Sequence, residues 1–281
     1  ESAGIRPKNI STFPKLRTIL STGSPLSGEN YDFVYNYWKE DVQLSSISGG
    51  TDIISCFALG NPVLPVKRGE LQCRGLGMKV ESFDEMGEPV QDCKGELVCT
   101  QAFPSMPIYF WADNNNEKYK AAYFDTFPGI WHHGDYIKIN SKGGIIIFGR
   151  SDTTLNPGGV RIGTAEIYQA VERFVGIKDS LVIGQPWEND ERIVLFVIME
   201  GNIQLTDELI KKIEKHIKRS CSPRHVPEKI IPIKDIPYTI NGKKVELAVK
   251  NIIQDIEVIN QDSLVNPEVL DYYKELTELR S

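Results

Sequence analysis

Basic charge is not in excess in this sequence of 281 residues: 32 Lys and Arg face 38 Asp and Glu, for a net charge of -6. That removes the basic footprint on which nucleic-acid binding depends, so no nucleic-acid partner is expected. No apolar run approaches the roughly 20 residues that cross a bilayer, so no membrane span is expected either. Cysteine is scarce and scattered, with five residues at 56, 73, 93, 99 and 221. None of them pairs at the close spacing of a zinc site, and an odd number spread this widely is not a disulfide framework. Free thiols in a reducing compartment, the cytosol, is the expectation. The four histidines make no His-x-x-x-His or His-Glu pattern, which argues against a structural transition-metal site. Internal repeats and low-complexity tracts are absent, and the first residues carry neither an initiator methionine nor the apolar core of a signal peptide.

What is present reads as a soluble globular chain, 41% hydrophobic and 25% charged. Its length allows two domains. Residues 1–60 read as α/β: a strand in "LRTILSTG", a helix carrying Phe33, Val34, Tyr37 and Trp38, and a further strand in "DVQLSSISGG". Residues 61–151 break into short runs ("GELQCRG", "MKVESFD", "GELVCTQ", "GGIIIFGR") between Gly, Pro, Asp and Asn clusters, the texture of a small antiparallel sheet or barrel. Within them "ADNNNEKY" reads as a polar loop. Residues 152–281 read as a compact α+β domain with a tail. Thr164 is the expected N-cap of its first helix. "DSLVIGQP" and "ERIVLFVIME" lack polar alternation and are expected to be buried on both faces. "TDELIKKIEKHIKRSC" is a helix capped by Thr206, with acids first and bases last as its dipole favours. Its Ile210, Ile213 and Ile217 form the apolar stripe.

Five short stretches could carry chemistry. "STGSPLSG" (21–28) has small residues that let backbone amides approach a ring or a phosphate, although many turns look alike. In "SISGGTD" (46–52), two glycines precede Thr51, a possible donor to a phosphate oxygen, and Asp52, an oxygen ligand of the kind Mg2+ prefers. "WHHGDY" (131–136) puts Asp135 in a Gly-Asp loop, either an ordinary turn or a carboxylate fixed for ribose hydroxyls. "FGRSDTTLNPGGVRIGTAEI" (148–167) gathers Arg150, Asp152, Gly158, Gly159 and Arg161 at the expected domain boundary. There it is either a linker or a hinge with arginine forks for phosphate. "PYTINGKKVE" (237–246) predicts a tight hairpin in which Asn241 and Gly242 both accept positive φ. Lys243 stands just beyond it, as a solvated lysine or as an ammonium delivered to a phosphate.

Taken in order, "GSPL", "SGGTD", "HGD", "GRSD", "GGVRIG" and "PYTINGK" resemble the adenylate-forming superfamily, whose members include acyl-CoA synthetases, peptide-synthetase adenylation domains and luciferases. The resemblance covers essentially the whole chain. It implies the end of the large domain, an α/β layer plus a small barrel-like sheet, followed by an α+β lid. It also implies a two-step ligase using ATP with Mg2+ and then coenzyme A. By the same resemblance Gly23, Ser24 and Pro25 line the adenine, while Ser48, Gly49 and Gly50 shape the nucleotide and acyl pockets. Thr51 meets the phosphate. Asp52 takes the metal position, where most relatives have glutamate. Asp135 and Arg150 hold the ribose, Asp152 is the hinge, and Arg161 lies near the phosphates. Gly158 and Gly159 flank the pantetheine arm, Lys218 or Arg219 meets coenzyme A's phosphates, and Lys243 serves adenylation.

The stretches "YFWADNNNEKYKAAYFDTFPGIWHHGDY" and "NPEVLDYYKELTELR" resemble the members of that superfamily that take acetoacetate. Gly49 stands near where acetate-using relatives carry a tryptophan, so a longer acid is expected to fit. The superfamily's Ser/Thr/Gly-rich phosphate loop ending in Gly-x-Pro-Lys is not in the sequence. The expectation is therefore a C-terminal portion of a longer enzyme, inactive alone. Two other readings are a synthetase for a different short or medium acid and a non-catalytic binder of nucleotide or acyl-CoA.

Overall fold

The computed structural model of the chain describes residues 4–172, 174–258, 261–274 and 276–280. It divides into two compact units, Glu1–Ile147 and Phe148–Ser281, the division falling within one strand.

The first unit opens with a parallel pair, β1 (Thr18–Ser21) and β2 (Gln43–Ser46), joined by helix α1 (Gly28–Tyr37). The run expected as one strand at 41–50 is two. After Ile47 the chain leaves that pair and forms β3 (Ser48–Gly50), which is antiparallel to β4 (Ser55–Leu59); β4 in turn pairs β5 (Cys73–Arg74). A four-stranded sheet follows in the order β6 (Val80–Phe83), β7 (Lys94–Cys99), β8 (Trp131–Ile139), β9 (Ile145–Arg150). The sheets stay open, and no closed barrel forms among the described residues.

The "ADNNNEKY" run is not all loop, for its end starts helix α2 (Glu117–Tyr123). Asp113 makes that possible: its carboxylate accepts from the amides of Lys118 and Tyr119 at 3.2 and 2.9 Å, supplying partners to amides that a helix start leaves unbonded. α2 delivers Tyr119 and Tyr123 to an aromatic core around Trp131, which is 1% exposed. The Tyr123 ring stacks on Trp131 at 3.6 Å and 15°.

The second unit is a three-stranded sheet, β10 (Ile177–Trp187), β11 (Asp190–Met199) and β12 (Lys229–Pro232), in that order. β12 lies parallel to β11, and α4 (Asp207–Ser220) falls between them in the chain. The absence of polar alternation in β10 and β11 is borne out by burial on both faces. Val182, Ile193, Leu195 and Val197 face α3 (Thr164–Val171) and α4. Leu181, Ile183, Val194 and Phe196 face α5 (Glu246–Ile253) and the tail. Successive side chains on a strand point to opposite faces, so two apolar faces require an unbroken apolar run.

Thr206 caps α4 as expected, accepting from the Leu209 amide at 3.3 Å, and Ile213 and Ile217 are fully buried. The cap of α3 is one residue earlier than expected. Gly163 holds it, its amide bonded to Glu166 Oε1 at 3.0 Å. A side chain there would strike the Phe148 carbonyl at 2.3 Å, which is why glycine and not Thr164 fills the cap.

The tail is core rather than appendage. Val269, Leu270, Tyr273 and Leu279 are each at most 5% exposed. Fully burying side chains of this size contributes about 1.5–3 kcal/mol apiece.

Candidate functional site

In the first unit the site is built on a defect in β8. Pairing of β7 with β8 runs Glu96↔Tyr136 but then Val98↔His132, so His133, Gly134 and Asp135 all stand opposite Leu97 alone. Gly134 takes φ +77, a conformation other residues resist. The "HGD" motif is therefore not a loop, as the sequence suggested, but a bulge inside a nine-residue strand. Bulges re-aim side chains, and they recur beside active sites. This one turns Asp135, 9% exposed, toward β3, where Ser48 Oγ donates to its Oδ2 at 3.5 Å.

His133 joins the same cluster. Its Nδ1 accepts from Trp131 Nε1 at 3.5 Å, leaving the proton on Nε2, which lies 4.0 Å from Asp135 Oδ2. Its ring packs edge-on against Phe57 at 4.7 Å. Sequence reasoning passed over His133. The usable signal was its place two residues before the aspartate.

Beside the bulge, the turn from β3 to β4 carries Thr51 and Asp52, both exposed. The Tyr123 hydroxyl donates to Asp52 Oδ2, so α2 holds that carboxylate through its last residue. Among the described residues no group of three or more His, Cys, Asp or Glu could cage a metal. One exposed carboxylate beside a threonine hydroxyl does suit a Mg2+ carried in on a nucleotide, which needs only one or two carboxylates besides phosphate and water.

Gly49 is explained by packing. A Cβ there would lie 2.0 Å from the Ser55 carbonyl oxygen and 2.8 Å from Cys56 Cα, so β4 excludes any side chain on this backbone. At Gly50 a Cβ would meet His133 Cε1 at 3.0 Å. Gly23, Ser24 and Pro25 follow β1 in a loop where Gly23 takes φ +97.

The remaining expected residues belong to the second unit. Arg150 ends β9, its Nε 3.6 Å from Asp152, and its carbonyl accepts from the hydroxyls of Thr153 and Thr154. Leu155 and Ile162 pair across the base of the Pro-Gly-Gly loop, which places Arg161 on its returning limb. Gly158 and Gly159 take φ +57 and +74. The loop is tied down by β11: Asp190 accepts from the Gly158 amide at 2.9 Å and Glu191 from the Asn156 amide at 2.7 Å. Lys218 and Arg219 are exposed in the last turn of α4. The cation found against the glycine loop is Arg224, whose Nη1 is 3.4 Å from where a Gly158 Cβ would be. The sequence did not single out Arg224.

Lys243 stands on a hairpin, though not the one expected. Thr239 N donates to the Lys243 carbonyl at 2.9 Å and Gly242 N to the Thr239 carbonyl at 2.8 Å. Only Gly242 has positive φ (+72). That is a three-residue loop closed by a glycine bulge, not a two-residue turn with both residues left-handed. Lys243 is exposed, and its ammonium has no hydrogen bond or ion pair among the described residues.

Next to it lies a partly buried polar network. Tyr168, half-buried, donates to Glu246 Oε1 at 2.8 Å and accepts from the Val182 amide at 3.1 Å. Burial, then the Glu246 charge, holds the Tyr168 phenol well above its usual pKa. Burial likewise raises the Glu246 carboxyl.

Residues 166–243 match the AMP-binding enzyme C-terminal domain family. The chain is 54% identical to the acetoacetyl-coenzyme A synthetase of Rhizobium meliloti (strain 1021), over 99% of this chain and 43% of that protein. It is 50% identical to the acetoacetyl-CoA synthetase of Xenopus tropicalis, over 100% of this chain and 42% of that protein. The solved structure of acetoacetyl-CoA synthetase from Streptomyces lividans superposes with a TM-score of 0.90 at 41% identity, covering 100% of this chain and 43% of that one. The chain thus spans less than half the length of the relatives it matches.

Proposed function

We propose that this chain belongs to the adenylate-forming enzymes and serves as the C-terminal portion of an AMP-forming ligase that joins acetoacetate to coenzyme A. The observation that carries the reading is the meeting of two motifs 87 residues apart. Ser48 of the Gly-Gly-Thr-Asp stretch bonds Asp135 of the bulged strand, which supports reading the two motifs as one nucleotide site.

In the first step the acid's carboxylate oxygen attacks the α-phosphorus of ATP, the α–β bond breaks, and pyrophosphate leaves. In the second, the thiol of coenzyme A attacks the acyl carbon of the adenylate; AMP departs and the thiol proton passes to solvent. Gly23, Ser24 and Pro25 line the adenine, and Asp135 with Arg150 takes the ribose hydroxyls. Thr51 donates to a phosphate oxygen and Arg161 stands near the phosphates. Asp52 would hold Mg2+, whose charge offsets that building on the phosphates. Lys243 adds an ammonium where charge develops, the kind of stabilisation that supplies much of a barrier's lowering.

Asp152 is the hinge about which residues 152–281 change orientation between steps. Gly158 and Gly159 pass the pantetheine arm, with Lys218, Arg219 and Arg224 for the phosphates of coenzyme A. Acetoacetate as the acid rests on the likeness to relatives named for it. The reading places the enzyme in the cytosol; among the described residues no helix is long and apolar enough to cross a membrane.

The test is a pair of half-reactions on the full-length protein. Lys243→Ala should abolish acid-dependent exchange of pyrophosphate into ATP while sparing thioester formation from supplied acyl-adenylate. Equal loss of both steps contradicts the role given to Lys243, and wild-type protein without exchange contradicts the ligase itself.

A further inference from the structure

The hairpin carrying Lys243 is closed by the pair Tyr238 and Lys244, and both side chains of that pair converge on one carboxylate. Tyr238 donates its phenol to Asp179 Oδ2. Lys244 Nζ lies 2.8 Å from Asp179 Oδ1 and donates to the Ser180 carbonyl at 2.6 Å. The same ammonium stands 4.3 Å from the centre of the Tyr168 ring. Asp179 sits at the irregularity of β10, where the register against β11 shifts between Ile177 and Asp179. Its Oδ1 also accepts from the Ser180 amide at 2.7 Å, which fixes the carboxylate's own orientation.

Neighbouring residues on a strand face opposite ways, so Lys244 pointing in toward Asp179 directs Lys243 outward. The backbone of the hairpin is held on its other edge by the tail. Ile240 N donates to the Ser263 carbonyl, Val265 N to the Tyr238 carbonyl, and Tyr238 N to Asn266 Oδ1, at 2.9 to 3.0 Å. Those bonds fix the hairpin's backbone along one edge and do not touch its closing side chains. Among the described residues, Asp179 is the group that grips both of its closing side chains. A partly buried ion pair, with Lys244 18% and Asp179 24% exposed, adds little net stability, so what it contributes is a fixed geometry.

We infer that Asp179 is a positioning residue for Lys243, clamping the hairpin through Tyr238 and Lys244 so that the exposed ammonium meets the reacting phosphate. The inference rests on the reading above, in which Lys243 serves only the adenylation step.

In the full-length protein, Asp179→Asn and, separately, Tyr238→Phe are compared with wild type and Lys243→Ala in the two half-reactions. Asp179→Asn should lower kcat for pyrophosphate exchange at least about tenfold, within the loss that a misplacement of about 1 Å can bring, with KM for ATP little changed. Thioester formation from supplied acyl-adenylate should stay near the wild-type rate. Tyr238→Phe, which keeps the ring and the pair's charge, should fall in the same direction by less. Exchange at the wild-type rate in both variants, or parallel loss of both half-reactions, overturns the clamp. If Lys243→Ala itself exchanges normally, or wild type does not exchange at all, the fault lies with the reading of Lys243 and the clamp falls with it.

Discussion

Gly49 is where packing and substrate choice make opposite predictions. If the glycine exists to leave room for a longer acid, then alanine there narrows the pocket and shifts acid preference without harming the fold. The backbone geometry says otherwise. A Cβ would sit 2.0 Å from the Ser55 carbonyl oxygen, where a relaxed carbon–oxygen contact needs about 3.3 Å. β3 and β4 would have to part by about 1.3 Å at that point to reach such a contact. The obstacle is backbone on both counts, Ser55 O and Cys56 Cα, so no rotamer change relieves it.

Overpacking of this kind typically costs about 1–3 kcal/mol. Expressed as local opening of the pair, that is about 5- to 160-fold faster exchange at amides whose opening is local. The assay is hydrogen exchange read by mass spectrometry on peptides spanning residues 46–59 of Gly49→Ala full-length protein, alongside its acid preference. Faster exchange confined to those peptides, with activity on every acid lowered together, is the expected result. Wild-type protection with a shifted acid preference refutes the packing argument and restores Gly49 to the pocket.

Two other perturbations test the second unit. Because burial raises the Glu246 carboxyl above its unfolded value, its favourable contribution is complete below the unfolded pKa and is lost as pH rises through the folded one. Glu246→Gln keeps an acceptor for Tyr168; it should match wild type near pH 4 and be the more stable at pH 8 by urea unfolding. An equal deficit at both pH values contradicts the cause assigned. Arg192, 3% exposed, donates to Gln185 Oε1 at 2.9 Å and to the Leu279 carbonyl at 2.7 Å while stacked 3.6 Å from the Trp187 ring. Arg192→Met strands Gln185 Oε1, at about 1–3 kcal/mol, and leaves the Leu279 carbonyl only the Gln185 Nε2 bond at 3.3 Å; it should expose residues 276–280 to proteolysis, and unchanged resistance argues against that tether.

What the sequence disclosed, it disclosed through local rules. Unbroken apolar runs in β10 and β11, the threonine cap of α4 and the ordered motifs were all readable because each depends on neighbours within a few residues. The misreadings came from partners far along the chain. β2 and β3 look like one strand, yet Ile47 is where the run passes from one sheet to another. The "HGD" bulge exists because β7 offers one residue against three, and no pattern in β8 alone reveals that mismatch.

Turn chemistry misled in a useful way. Asn241-Gly242 forms a bulged three-residue loop, while the two-residue turn with both φ positive is Glu188-Asn189, joining β10 to β11. There the register of two long strands imposes the turn on residues that do not advertise it. Arg224 and Asp179 went unread for the same reason: their importance lies in what they touch, and those partners are 59 to 66 residues away.

The role proposed for the full-length protein is activation of acetoacetate. The most direct measurement is AMP release by that protein with ATP, coenzyme A and one acid at a time: acetoacetate, acetate, propionate or butyrate. AMP and thioester should form in equal amounts, fastest with acetoacetate. Preference for acetate contradicts the assigned acid, and no AMP with any of the four contradicts the ligase.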